Sequence, residues 1–435
     1  MSGADATSSG IDKATHDAHI ARRGYTLFVL VVVFTSSHVD RQIMGILGQP
    51  IKEALLLSDT QLGLLTGFVF ALFYATLGMP MALWADRRNR RNLIAFAVFT
   101  WSFMTAACAF AQNFTQLLLA RIGVGVGEAG SNPPSHSIIA DLYPPTERAT
   151  AMAIFGTGIN WGILIGFGVG GWINEWYGWQ AAFLLVGLPG LAIAALVRFT
   201  VREPPRGLSD VGVSQAPTPP FFQETLRWLL RQRTLLHVIA CSTLTAFVGY
   251  ASIIWVPTYL VRIHDLGTGA TGTYLALLIG IGGAAGIYAA GRVADALSAR
   301  RGPGWGVWLV GAVAIATLPP LAAAFLADNA QSALLWYALP AALGTVYVAP
   351  TFAIIQNLTP PAMRAVVASI NLFILNIVGL GLGPFTVGWL SDQFAPSYGD
   401  ASLRYALLCS LVFVLWSAGH AWRAGVLLQR AHRAG

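Results

Sequence analysis

DLYPPTERATAMAI, residues 141–154, returns 216 positions on (357 − 141) as NLTPPAMRAVVASI, residues 357–370. A second pair keeps the same order. ALWADRRNRR at 82–91 aligns with GRVADALSARR at 291–301 through Asp86 and Asp295, at an offset of 209 (295 − 86). Two independent motifs at near-equal spacing mark a tandem duplication. Long apolar runs flank every copy, so the repeated unit is a set of membrane spans.

Composition agrees. Of the 435 residues, 55% are hydrophobic and 10% are charged, where a soluble domain carries about 25%. Mean hydropathy is +0.62. A crossing helix needs about 20 mostly apolar residues. Twelve stretches qualify: 25–48, 60–85, 92–112, 115–139, 148–173, 180–199, 234–261, 270–294, 304–327, 331–357, 364–390 and 402–426. The one long polar interruption divides the chain into an N-terminal tail (1–24), a six-helix half (25–199), a central loop (200–233), a second six-helix half (234–426) and a C-terminal tail (427–435). Within the loop, FFQETLRWLLRQR reads as an amphipathic helix on the membrane surface.

The net charge of +7 does not point to nucleic acid, because the basic residues are scattered in short loops rather than gathered on one domain. They set topology. With twelve spans both termini share a side, and that side collects Arg22, Arg23, the arginines at 87, 88, 90 and 91, Arg148, and the arginines of the central loop and C-terminal tail. The other side keeps Lys52, Arg262 and Arg404. The positive-inside rule makes both termini and the central loop cytoplasmic. No short apolar core with a cleavage site precedes span 1, so no removable signal peptide is expected. Cys108, Cys241 and Cys409 lie in apolar runs without metal-ligand spacing and are expected as buried small hydrophobes. Asn113-Phe114-Thr115 matches a glycosylation acceptor by chance, in a very short loop.

The loop after span 2, Ala82 to Arg91, resembles the major-facilitator signature of Gly, three residues, Asp-Arg and a basic cluster. Ala82 replaces the usual Gly, whereas the second copy keeps Gly291 and Asp295. Within that superfamily, HVDRQIMGIL, ARIGVGVGEAG, SIIADLYPPTERATAMAI and YGWQAAFLLVGLPG look like the spinster branch. Its members typically carry an Asp-Arg pair in span 1, here Asp40-Arg41, and an Arg and a Glu in span 4, here Arg121 and Glu128. Two departures stand out: Ser37-His38-Val39 replaces a frequent Asn-Tyr, and GSNPPSHS follows Glu-Ala in an uncommon form. The resemblance implies an all-α integral membrane protein of major-facilitator fold with two pseudo-symmetric halves and a site between them. It also implies secondary transport by alternating access in a bacterial inner membrane, of a lysolipid or sphingolipid class of substrate, linked to protons.

The charges deserve counting along the helix. From Tyr25 to Phe34 is ten residues, or about 15 Å, too short to cross about 30 Å of hydrocarbon. Span 1 therefore continues past Asp40. Span 4 runs the other way and brings Arg121 to a similar depth, so Arg121 is the expected partner of Asp40. Glu128 projects from nearly the same face as Arg121, about 10 Å further in, where Arg41 can bend toward it. Charges at this depth pair or face water, and they mark substrate or ion paths. Asp40 and Glu128 are the expected proton carriers. Arg41 and Arg121 are the expected partners of an anionic head group, Arg offering a fork of donors. A static ion-pair network is the competing reading.

Tyr347 and Asn371 are expected to complete the substrate site, with Gln356 and Asn376 as lesser candidates. His38 is read as a packing residue ahead of a proton relay. Asp86, Arg87, Arg91, Glu147, Arg148, Asp295 and Arg300 (with Arg301) are expected as a cytoplasmic gate. The second half has no intramembrane acid or base like Asp40 or Glu128, which suits an amphipathic substrate with its head on the first half and its tail on the second. The alternative is a small organic anion or drug. No catalytic set, metal site or cofactor is expected. A proton gradient supplies the energy, membrane lipids surround the chain, no nucleic acid is bound, and the protein is expected to be a monomer.

Overall fold

The computed structural model describes residues 13–209 and 222–434, without the side chains of residues 13–16, Asp86 and Ala434. The Pro/Ser-rich part of the central loop and part of the N-terminal tail lie outside the described residues. Helices and their short connections make up everything described. That follows from a chain this apolar, because backbone groups inside a bilayer must bond within their own segment.

Span 1 is Arg23–Ile46, followed by a short helix, Gly48–Leu55, at the end opposite the termini. Span 2 begins at Asp59 and runs through a π-turn (Leu64–Phe68) into Val69–Arg87. Span 3 is Arg90–Cys108, and span 4 is Phe114–Ala129 extended by Asn132–Leu142. Spans 5 and 6 occupy Pro145–Gly156 and Gly158–Thr200; Gly178, at φ +84°, breaks the long stretch between them. Only a residue without Cβ takes that conformation cheaply. The surface helix Phe222–Arg231 leads into span 7, Arg233–His264. Spans 8 to 10 are Thr268–Arg301, Gly304–Leu326 and Ala330–Leu358. Span 11 runs from Arg364 to Tyr398 through a second-half π-turn, Leu375–Leu382, and span 12 from Ser402 to Ala434.

Polar caps start the spans. Ser58 and Gln61 form a reciprocal capping box, and Asn89, Asn113 and Asn329 each accept a backbone N–H of the first turn. Asn113 is thus a helix cap. The duplication is visible in detail: Arg148 Nε donates to the Tyr143 carbonyl at 3.3 Å, and 216 residues on (364 − 148) Arg364 Nε donates to the Thr359 carbonyl at 3.1 Å.

One expectation about the cysteines is corrected. Cys108 and Cys241 are buried, but Cys409 is exposed. Apolarity alone does not separate the lipid-facing side of a peripheral span from its packed side.

Candidate functional site

Span 1 presents Arg41 toward span 4, where Glu128 is almost fully buried. Arg41 Nε and Nη2 both donate to Glu128 Oε2, at 2.8 and 2.7 Å. Glu128 Oε1 has no hydrogen-bond partner among the described residues. Phe70 and Tyr74 of span 2 hold the Arg41 guanidinium from another side, with ring centroids 4.9 and 4.5 Å from its carbon. Cation–π contact of this kind is stronger away from water. Arg121 lies 5.6 Å from the same Phe70 ring.

Asp40 is 1% exposed, and neither of its carboxylate oxygens has a hydrogen-bond partner among the described residues. The polar groups acting on it are Glu128, the Thr105 hydroxyl, Arg121 and Arg41. The expected Asp40–Arg121 pair is therefore not formed, and Arg121 Nε and Nη1 are themselves unpartnered. The expected reach of Arg41 to Glu128 is present. Matched depth placed Asp40 and Arg121 at one level, but depth does not determine which way each helix turns its side chain.

Beside these residues, between the halves, lies a cavity of about 460 Å³. Arg41, Arg121, His38, Gln42 and Asn160 line it from the first half. The second half contributes Ile279, Ile287, Val310, Val313 and Leu321 among its apolar lining and hydroxyls such as Tyr250 and Tyr347, but no charge. Glu128 and Asp40 lie beyond the lining, so the arginines screen the acids from the cavity. His38 lines the cavity while its Nδ1 bonds the Phe34 carbonyl at 2.9 Å. Tyr347 is on the wall. Asn371 is fully buried outside the lining, which takes its neighbours Leu372 and Leu375 instead, and its amide has no partner among the described residues.

Among the residues expected as a cytoplasmic gate, the side chain of Asp86 lies outside the described residues, and the described contacts of the others hold first-half partners. Arg23 pairs with Glu147 at 3.0 Å, Arg148 donates to the carbonyls of Ala140 and Tyr143, and Arg91 contacts Asn92, all within the first half. Arg87, Asp295 and Arg300 are exposed. A fully buried cation at this end is Arg90, read from sequence only as topology-setting. It binds Asp141, Glu203 at 2.7 Å, Ser137 at 2.8 Å and the Pro204 carbonyl at 2.8 Å. Gly207 N–H donates to Asp141, so residues 203–207 strap the start of the central loop onto the first half.

The opposite end holds a network that sequence reading missed. Arg262 of span 7 donates to both oxygens of Asp59 at the head of span 2, each at 2.7 Å. Lys52 adds a contact to Asp59 at 2.5 Å, and Gln49 accepts from Arg262 at 2.8 Å. Among the described residues, the side-chain hydrogen bonds joining the halves lie at this end. The cavity is closed there. The available signal was an acid, Asp59, seven residues from Lys52 on the side that holds only three basic residues.

The profile of the Major Facilitator Superfamily matches residues 26–384. An MFS-type efflux pump of Mycolicibacterium smegmatis is 34% identical over 409 residues, covering 93% of this chain and 92% of its own length. A probable L-galactonate transporter of Escherichia coli is 28% identical over 284 residues, covering 63% of this chain and 62% of its own length. The crystal structure of a bacterial homologue of the human lysosomal transporter spinster, inward-facing and unoccupied, superposes with a TM-score of 0.85. It is 29% identical, covering 94% of this chain and 98% of that one.

Proposed function

The chain belongs to the Major Facilitator Superfamily and is a transporter rather than an enzyme; on that premise, we propose that it couples proton movement to the transport of an amphipathic anion of the lysolipid or sphingolipid class. The observation that carries the reading is the two-sided cavity. Both arginines are on one wall and the acids lie directly behind them, while an uncharged, largely apolar wall faces them. An anionic head group at Arg41 competes with Glu128 for the same guanidinium. A proton on Glu128 removes that competition, because a neutral carboxyl no longer holds Arg41 by charge. Asp40, unpartnered beside the pair, is the second acid of the relay. Proton and anion therefore favour each other's binding, which is the thermodynamic content of symport.

The closed network at Asp59 and the likeness to an inward-facing structure support a state open toward the termini, and the arginine bias puts the termini in the cytoplasm of a bacterial inner membrane. The cytoplasmic charges at Asp86, Arg87, Arg91, Glu147, Arg148, Asp295 and Arg300 would then close the other end when this one opens. The protein works as a monomer.

A second reading, transport of a small organic anion or drug, is favoured by the efflux pump and the L-galactonate transporter among the relatives. A thermal-shift series on purified protein at two pH values separates them. Lysophospholipids with anionic head groups should raise the unfolding temperature more at the lower pH, and galactonate should not. Stabilisation by galactonate alone contradicts the lipid reading.

A further inference from the structure

We propose that the end opposite the termini is shut by one device built twice, a carboxylate of each half capping a helix of the other, and that the two caps set the balance between the closed and open states. In the first copy, Asp392 of span 11 accepts the backbone N–H groups of Asp59 and Thr60 at the head of span 2, at 3.0 and 2.7 Å. In the second, Glu175 of span 5 accepts the N–H of Gly269 at the head of span 8, at 2.7 Å. The first N–H groups of a helix lack partners inside it and carry its positive end, so a carboxylate there is favourable twice over.

The two caps are related by the duplication. Span 2 maps to span 8 at an offset of 209 (269 − 60), the value read from the Asp86 and Asp295 motifs. Span 5 maps to span 11 at 217 (392 − 175), one residue from the 216 of the other motif. The neighbouring contacts repeat as well. Ser391 donates to Asp59 at 2.6 Å, and Asn174, 217 residues earlier (391 − 174), donates to Thr268, the counterpart of Asp59, at 2.9 Å. Glycines line both seams in register. A Cβ on Gly63 would meet the Pro384 carbonyl, and one on Gly272 would meet the carbonyl of Phe167, the same place in the other copy.

The copies differ in charge. The span 2–span 11 seam carries Asp59 with Arg262 and Lys52, whereas the span 5–span 8 seam has Thr268 at the matching position and relies on its cap. Each cap joins the halves and must break before a cavity between them can open at this end. If the halves move as rigid bodies, both caps break in one step and their effects multiply.

The inference rests on alternating access and not on the proton or lipid assignment, and the test reads the gate without either. Spin labels at Ala54→Cys and Ser397→Cys, exposed positions on opposite halves of this end, are placed in a Cys409→Ser background. Double electron–electron resonance then gives the distance distribution in nanodiscs. The parent should show one short distance. Asp392→Ala and Glu175→Ala should each raise the ratio of the long to the short population by about tenfold, the scale of one charge-assisted hydrogen bond, and together by about a hundredfold. Glu175→Ala removes one charge and its one bond to Gly269, so it decides the matter if Asp392→Ala does not fold. An unchanged distribution in Glu175→Ala overturns the proposal. So does a double variant no more open than the stronger single one, which would mean the seams open independently.

Discussion

At the scale of single residues, Arg41 is held by two different nitrogens to one oxygen of Glu128 and by two aromatic faces. Lysine keeps the charge but offers neither the two-point contact nor the flat surface. Arg41→Lys should therefore lower substrate transport by about tenfold, near 1.4 kcal/mol, in a vesicle uptake assay. Unchanged uptake would show that charge alone suffices. Asp40, Arg41, Arg121 and Glu128 were legible in the sequence because charge inside an apolar run is costly and rare. Their pairing was only half legible. Helix rise gives depth from residue counting, but the direction of each side chain depends on how two helices are rotated against each other. Asp59, Arg262 and Asp392 escaped notice for a different reason: at span ends, charge reads as ordinary solvent-facing polarity.

Among elements, the strap at residues 203–207 ties the central loop to the first half through Arg90, which is fully buried. Removing that cation leaves Asp141 and Glu203 facing each other without compensation. Arg90→Ala should cost about 3 kcal/mol and lower the unfolding temperature in differential scanning fluorimetry. A variant as stable as the parent would mean that the strap is loosely held. The span 2–span 11 seam has its own test. A Cβ on Gly63 would stand 2.7 Å from the Pro384 carbonyl and 3.0 Å from the Phe385 Cα. Backbone cannot yield as a flexible side chain can, so Gly63→Ala should spread the seam and increase labelling, from the end opposite the termini, of a cysteine introduced on the cavity wall at Ser252→Cys. The spans themselves were readable from length and hydropathy. The π-turns and the break at Leu47 between span 1 and the short helix after it were not, since the sequence around them would continue a regular helix.

For the whole molecule, the uneven charge of the two cavity walls was foreseeable, because the second half's spans hold no acid or base comparable to Asp40 or Glu128. The volume and walls of the cavity were not, as they depend on packing between distant spans. If the apolar wall receives a lipid tail, Val313→Trp should reduce uptake of a long-chain lysophospholipid severalfold more than that of a short-chain analogue; equal losses would place the tail elsewhere. The central claim is that Glu128 and Asp40 move protons with the substrate. It is tested most directly in proteoliposomes enclosing a pH-sensitive dye, to which an anionic lysophospholipid is added without an imposed gradient. The account predicts a substrate-driven pH change in the lumen with the parent protein, and its loss in Glu128→Gln and Asp40→Asn while the lysophospholipid still binds. Parent-level proton movement in both variants would contradict it.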